Sequence, residues 1–280
     1  MPLQYADGKF RLRSKVFKGT RNTMAQFDSR YTQATTVGRA DVDEGLRAYM
    51  LGVYNYMAAG VALTGIVAYL VFSMAVTSNP SSAAATLPNG QMLTSFGVAL
   101  YTSPLKWLLF LAPVAFVFFF AFRVGSMSVG AARTSFWVYA ALVGASLSSL
   151  LLVFTGTSIA NVFFITAATF ASLSVWGYTT KRDISGWGSF LFMGLIGVII
   201  AMVVNIFMQS SAMHFAISVI GVLVFAGFTA YDTQRIKDVY FEVAGNAEAA
   251  AKASVMGALS LYQDFVGLFV NLLSLLGNRE

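Results

Sequence analysis

From Ile184 to Tyr231 the chain carries no Asp, Glu, Lys or Arg. Between Ala48 and Thr180 the only such residues are Lys106, Arg123 and Arg133. Runs of this length hold enough apolar residues for several bilayer crossings, each of which needs about 20. Backbone amides in lipid must be satisfied within the protein, which leaves helices or closed barrels. Long unbroken apolar runs, rather than short alternating segments, select helices. Composition agrees. Of 280 residues, 57% are hydrophobic and 11% are charged, against about 25% charged in soluble domains. A soluble enzyme, a disordered chain and a nucleic-acid binder are excluded, the last despite a net charge of +6. The sequence has no Cys, and His214 is its one histidine. Disulfides, thiolate sites and multi-histidine metal centres are therefore excluded too. The fold class is an all-α polytopic membrane protein.

Seven spans are expected, over 46–74, 105–124, 134–154, 161–180, 187–207, 212–234 and 255–276. Six spans with a re-entrant seventh stretch is the alternative. The domain plan is a basic tail at 1–45, a seven-span domain at 46–276 and a short end at 277–280. Asn79-Pro80 and Pro88-Asn89-Gly90 mark a long polar loop after the first span. Lys and Arg placement sets orientation. The tail carries Lys9, Arg11, Arg13, Lys15, Lys18, Arg21, Arg30 and Arg39, and alternate loops carry Arg123 and Arg133, Lys181 and Arg182, then Arg235, Lys237 and Lys252. The opposite loops carry only Lys106, with Arg279 near the carboxyl end. This pattern predicts a cytoplasmic amino terminus and an external carboxyl terminus. The tail reads as a cytoplasmic arm attracted to anionic headgroups, with a mitochondrial transit sequence as the alternative. The membrane is a bacterial inner membrane or that of an organelle, with the bacterial reading preferred.

Carboxylates at bilayer depth are expensive and usually face a protein interior or a water path. Asp232 stands near the end of the sixth span, in Thr229-Ala230-Tyr231-Asp232-Thr233-Gln234-Arg235. Asp264 stands well inside the seventh, about 14 Å from Val255 at 1.5 Å per residue. Helical spacing places Ser260, Asp264, Gly267 and Asn271 on one small or polar stripe, the candidate pathway-lining face. On the sixth span Ser218, Gly221, Phe225, Thr229 and Asp232 share a face. For the two carboxylates to meet, the sixth helix must continue past Arg235. If they meet, they share protonation and titrate as a unit. Ionised, they offer oxygens to a hard cation such as Ca²⁺; protonated, they lose that attraction. The competing reading pairs Asp232 with Arg235. Arg123, which ends the run Phe116 to Phe122, is either a snorkelling interfacial residue or the mobile partner of Asp232, a latch between the second and sixth spans. His214 near the outer end of the sixth span is a candidate pH sensor.

At Ala230-Tyr231-Asp232-Thr233-Gln234-Arg235-Ile236 and Ala258-Leu259-Ser260-Leu261-Tyr262-Gln263-Asp264-Phe265-Val266 the sequence resembles the Bax inhibitor family, the transmembrane Bax-inhibitor-motif proteins. The resemblance runs from about Leu46 to Leu276. It implies a bundle in which six spans surround a central seventh. It also implies that Asp232 and Asp264 are a proton-sharing pair, and that an arginine on the second span, best matched by Arg123, latches the closed state. Bacterial relatives are linked to pH-dependent calcium leak, so Ca²⁺ is expected as the permeating ion, with no cofactor. The sequence departs from the family at Gln263 and Gly267. It has no acidic residue inside the second span, and the alanine-rich stretch Ala244 to Ala253 reads as a long loop.

Three functions compete. The first is a pH-sensitive calcium or cation leak gated by the aspartate pair. The second is a membrane aspartyl protease, which Tyr262-Gln263 ahead of Asp264 argues against, so no enzyme is expected. The third is a regulatory protein. Some bacterial members of the family modulate a membrane-bound ATP-dependent protease, and the basic tail could dock such a partner.

Overall fold

The computed structural model describes residues 20–279, with side chains from Glu44 onward. The chain divides into two compact units, 1–45 and 46–280. The basic tail falls in the first; its side chains up to residue 43, and residues 1–19 altogether, lie outside the described residues.

Eight α-helices account for most of the described residues: α1 (Thr20–Ala75), α2 (Ser95–Tyr101), α3 (Leu105–Arg123), α4 (Val129–Leu147), α5 (Gly156–Thr179), α6 (Trp187–Met208), α7 (Ser211–Val243) and α8 (Ala247–Leu276). Seven helical stretches among the described residues are long and apolar enough to cross a bilayer: Glu44–Ala75, Leu105–Ser126, Val129–Leu152, Gly156–Thr179, Trp187–Met208, Ser211–Val243 and Ala247–Leu276. The polar loop after α1 folds into β1 (Val76–Thr77), β2 (Ala85–Thr86) and β3 (Met92–Leu93), antiparallel in the order β1-β3-β2, with Leu93 opposite Val76 and Ala85.

Local chemistry sets the helix starts. A hydroxyl or amide side chain at the N-cap accepts from one or two of the first free amides. Ser128 accepts from Ala131, Thr155 from Ser158, Ser210 from Met213, and Asn246 from Glu248 and Ala249. These caps correct several expected boundaries. The third span starts at Val129 rather than 134, so Arg133 lies inside α4, its guanidinium 5.7 Å from the Tyr56 ring centre. The fourth starts at Gly156 rather than 161. The sixth runs on to Val243 rather than stopping at 234, because Ile236 and Tyr240 carry its buried face onward, packed with Val255. The alanine-rich stretch is not a long loop. Only Ala244 to Asn246 separate α7 from α8, and Ala247 to Ala253 are helix, as alanine's propensity favours.

α8 is the interior helix. Of its most apolar window 44% is buried, against 11% for α6. The Tyr262 hydroxyl meets the Thr64 hydroxyl of α1 at 2.6 Å. Its ring packs edge-on against Phe136 and Tyr139 of α4. Phe265 meets Phe163 and Phe170 of α5. On its α7 side, Gly257 lies against Ile236 and Gly267 against Phe225. Large apolar side chains elsewhere, such as Phe122, Phe190, Phe207 and Leu223, face outward, as a lipid-facing surface requires.

Candidate carboxylate site between α7 and α8

Successive helical residues point about 100° apart, and the segment Asp232 to Lys237 uses this to fix the rotation of α7. Thr233 is fully buried toward α5, its hydroxyl 2.9 Å from that of Ser174, which in turn lies 2.6 Å from the Tyr54 hydroxyl of α1. Gln234 pins the α5–α6 loop: its Oε1 accepts from the Ile184 amide and its Nε2 donates to the Arg182 carbonyl. Lys237 donates to the Tyr178 carbonyl at 3.0 Å. With these anchored, Asp232 is held on the remaining face and is buried, 8% exposed.

Asp232 lines a cavity of about 110 Å³ with Tyr49 of α1, Arg235, Ile236 and Val239 of α7, and Met256, Gly257 and Ser260 of α8. Its ion-pair contact is with Arg235, at 3.9 Å. That distance is too long for a direct hydrogen bond, and the Arg235 side chain is 64% exposed, so the pair holds Asp232 only loosely. Asp264, 4% exposed, lies one turn along α8 from Ser260 and within electrostatic reach of Asp232. Its Oδ2 is buried without a hydrogen-bond partner. A buried carboxylate oxygen left unpaired is costly, so this atom marks a position kept for a reason other than packing.

α7 continues past Arg235 and packs along α8, Ile236 against Gly257 and Phe225 against Gly267, which sets Asp232 beside Ser260 and about one turn from Asp264. Ser260 joins Asp232 at the cavity, and Asp264 lies one turn further along α8. Gly267 and Asn271 lie further along the same seam: Asn271 Nδ2 donates to the Gly267 carbonyl at 2.8 Å, and its side chain fills the space left by Gly221. A methyl group at Gly221 would run into the Asn271 amide, and one at Gly267 into the Phe225 ring. Arg123 is not brought to Asp232; it is exposed at the end of α3. His214 is exposed at the far end of α7, where it lines a second cavity of about 330 Å³ with Asn205, Ser218, Asn271 and Ser274 among others.

Sequence reasoning missed Tyr49. Its hydroxyl is buried without a hydrogen-bond partner in the cavity that holds Asp232. The only signal was its place in an early turn of the first span, where a tyrosine also serves as an interfacial anchor. Among the described residues no group of three or more His, Asp or Glu side chains is arranged to hold a metal ion.

The chain is similar to several known proteins. An uncharacterised protein of Rickettsia prowazekii is 45% identical over 249 residues, 89% of this chain and 97% of that protein. An uncharacterised protein of Caulobacter vibrioides is 42% identical over 260 residues, 92% of this chain and all of that protein. The inner membrane protein YbhL of Escherichia coli K12 is 39% identical over 238 residues, 84% of this chain and 94% of that protein. The family described as "Inhibitor of apoptosis-promoting Bax1" matches residues 46–280, the whole of the seven-span unit, and the chain is an integral membrane protein belonging to this Bax inhibitor family.

Proposed function

We propose that the protein is a pH-sensitive leak pathway for calcium or a similar cation, gated by Asp232 and Asp264. The observation that carries the reading is a pair of buried acids on adjoining helices, one on a small cavity and the other with an unpartnered oxygen. Together they offer four carboxylate oxygens, and Ser260 adds a hydroxyl. Calcium takes six to eight oxygen ligands, so water must complete the shell. Such a site binds loosely enough to release the ion, as conduction requires. Protonation of the pair removes the attraction and favours the closed state. No bond-breaking step is assigned to the pair. Arg123 remains a candidate latch only if α3 moves, since its charge does not meet Asp232 in this conformation. The membrane is taken to be a bacterial inner membrane, as YbhL's name states for that protein.

The test is calcium entry into proteoliposomes across pH for the wild type, Asp232→Asn and Asp264→Asn. The wild type is expected to leak with a pH dependence that either substitution flattens. Absence of flux, or the same profile in all three proteins, would remove the channel reading. It would put first a regulatory role through the basic tail, with a membrane-bound protease as the partner class.

A further inference from the structure

The stripe of α7 and the stripe of α8 run past one another in opposite directions, and their partners can be read off pairwise. Asp232 and Ser260 share the smaller cavity, at the end that carries Arg235. Ser218, Asn271 and Ser274 share the larger cavity, at the His214 end. Gly221 lies against Asn271. Between these polar ends the contact is Phe225 on Gly267. Phe225 is therefore the one bulky apolar side chain in a stripe otherwise made of Ser218, Gly221, Thr229 and Asp232. Its ring occupies the room left by the missing side chain at 267, so a glycine there is what admits it. The Thr229 hydroxyl bonds back to the Phe225 carbonyl at 2.8 Å, so it does not reach across to α8. From Ser260 to Ser274 along α8 is about 21 Å at 1.5 Å per residue, roughly two thirds of a bilayer core. The two cavities and the unpartnered Asp264 oxygen thus border one face of α8, with the Phe225 ring packed on that face between the cavities. Hydrophobic constrictions close pores by excluding water.

We infer that Phe225, seated on Gly267, is the plug that separates the two cavities, and that a hydrated cation crosses the α7–α8 seam only when this ring leaves Gly267. The inference rests on the channel reading for the identity of what crosses, but the plug itself can be tested without it. The chain has no cysteine, so single cysteines report cleanly. Ser260→Cys and Ser274→Cys would be placed separately in purified, reconstituted protein. A charged, membrane-impermeant thiol reagent would then be applied from one side or the other. With Phe225 present, each cysteine is expected to react from its own side only. Phe225→Ala should abolish that sidedness and raise calcium leak, and Phe225→Leu should do so partially. Val224→Ala, a buried truncation one residue away that faces Gly194 of α6, should leave sidedness intact. Unchanged sidedness in Phe225→Ala, with the protein folded by its elution profile, overturns the plug. So does loss of sidedness in Val224→Ala as well, since the effect would then be general loosening. If Phe225→Ala opens the seam to the reagent while no variant passes calcium, the plug stands and the calcium reading fails.

Discussion

At the residue scale, the two aspartates were legible because a charge in an apolar run has few explanations. Tyr49 was not, and of Phe225 only the shared face was, because an aromatic residue in a membrane helix looks the same whether it fills a core, faces lipid or borders a site. What separates them is tertiary: an orphaned hydroxyl beside Asp232, and a ring lying on a glycine of another helix. Tyr262 illustrates the opposite case, a motif residue with a structural job. It is fully buried, and its hydroxyl meets Thr64, which already donates toward the carbonyls of Gly60 and Ala140 at 3.0 Å. Tyr262→Phe keeps the ring packing and strips one hydrogen bond, so it should cost about 1 kcal/mol. A thermal midpoint in detergent only slightly below that of the wild type would bear this out. Tyr262→Ala should cost several times more, about 3–5 kcal/mol, through the cavity it leaves.

At the element scale, the sequence located all seven spans but misjudged where several begin and end. The starts of α4 and α5 are set by the caps Ser128 and Thr155, and the end of α7 by its buried face. Thr233, Gln234 and Arg235 have the polarity of a span end, whereas the helical period of Thr229, Asp232, Thr233, Ile236 and Tyr240 continues through them. The three short strands after α1 were invisible, since two-residue pairings carry no alternation to detect. The tight link at Ala244 to Asn246 depends on Asn246, whose Oδ1 accepts from two amides at 3.0 Å each. Asn246→Ala should therefore cost about 1 kcal/mol and fray the start of α8, seen as faster hydrogen exchange at Glu248 and Ala249. The α5–α6 loop carries a pH signature outside the spans. Asp183 accepts from the Ser185 amide, which holds its carboxyl below the ordinary value of 3.8. A lowered folded value means the ionised form is favoured in the native loop. Its contribution is present above about 3.8 and fades as pH falls through the lowered value. The difference in Ser185 exchange between the wild type and Asp183→Ala should accordingly shrink in strong acid and be constant at neutral pH.

At the scale of the whole molecule, the central placement of α8 explains why its stripe is polar while the outer helices expose Phe, Leu and Ile to lipid. Charge asymmetry supplies what packing does not, the direction of insertion. Arg182, Arg235 and Lys237 cluster at one end of the bundle, and positive residues are retained on the cytoplasmic side. Reporter fusions at the two termini should therefore report a cytoplasmic amino end and an external carboxyl end. The three-residue link between α7 and α8 also bears on how such a chain is made. An aspartate alone at the centre of a nascent span disfavours its insertion by about 2.5–3.5 kcal/mol. Here the two acid-bearing helices emerge from synthesis one directly after the other, joined too closely to part. Insertion as a hairpin would give each acid a protein neighbour in place of lipid, so the short link couples the entry of α8 to that of α7.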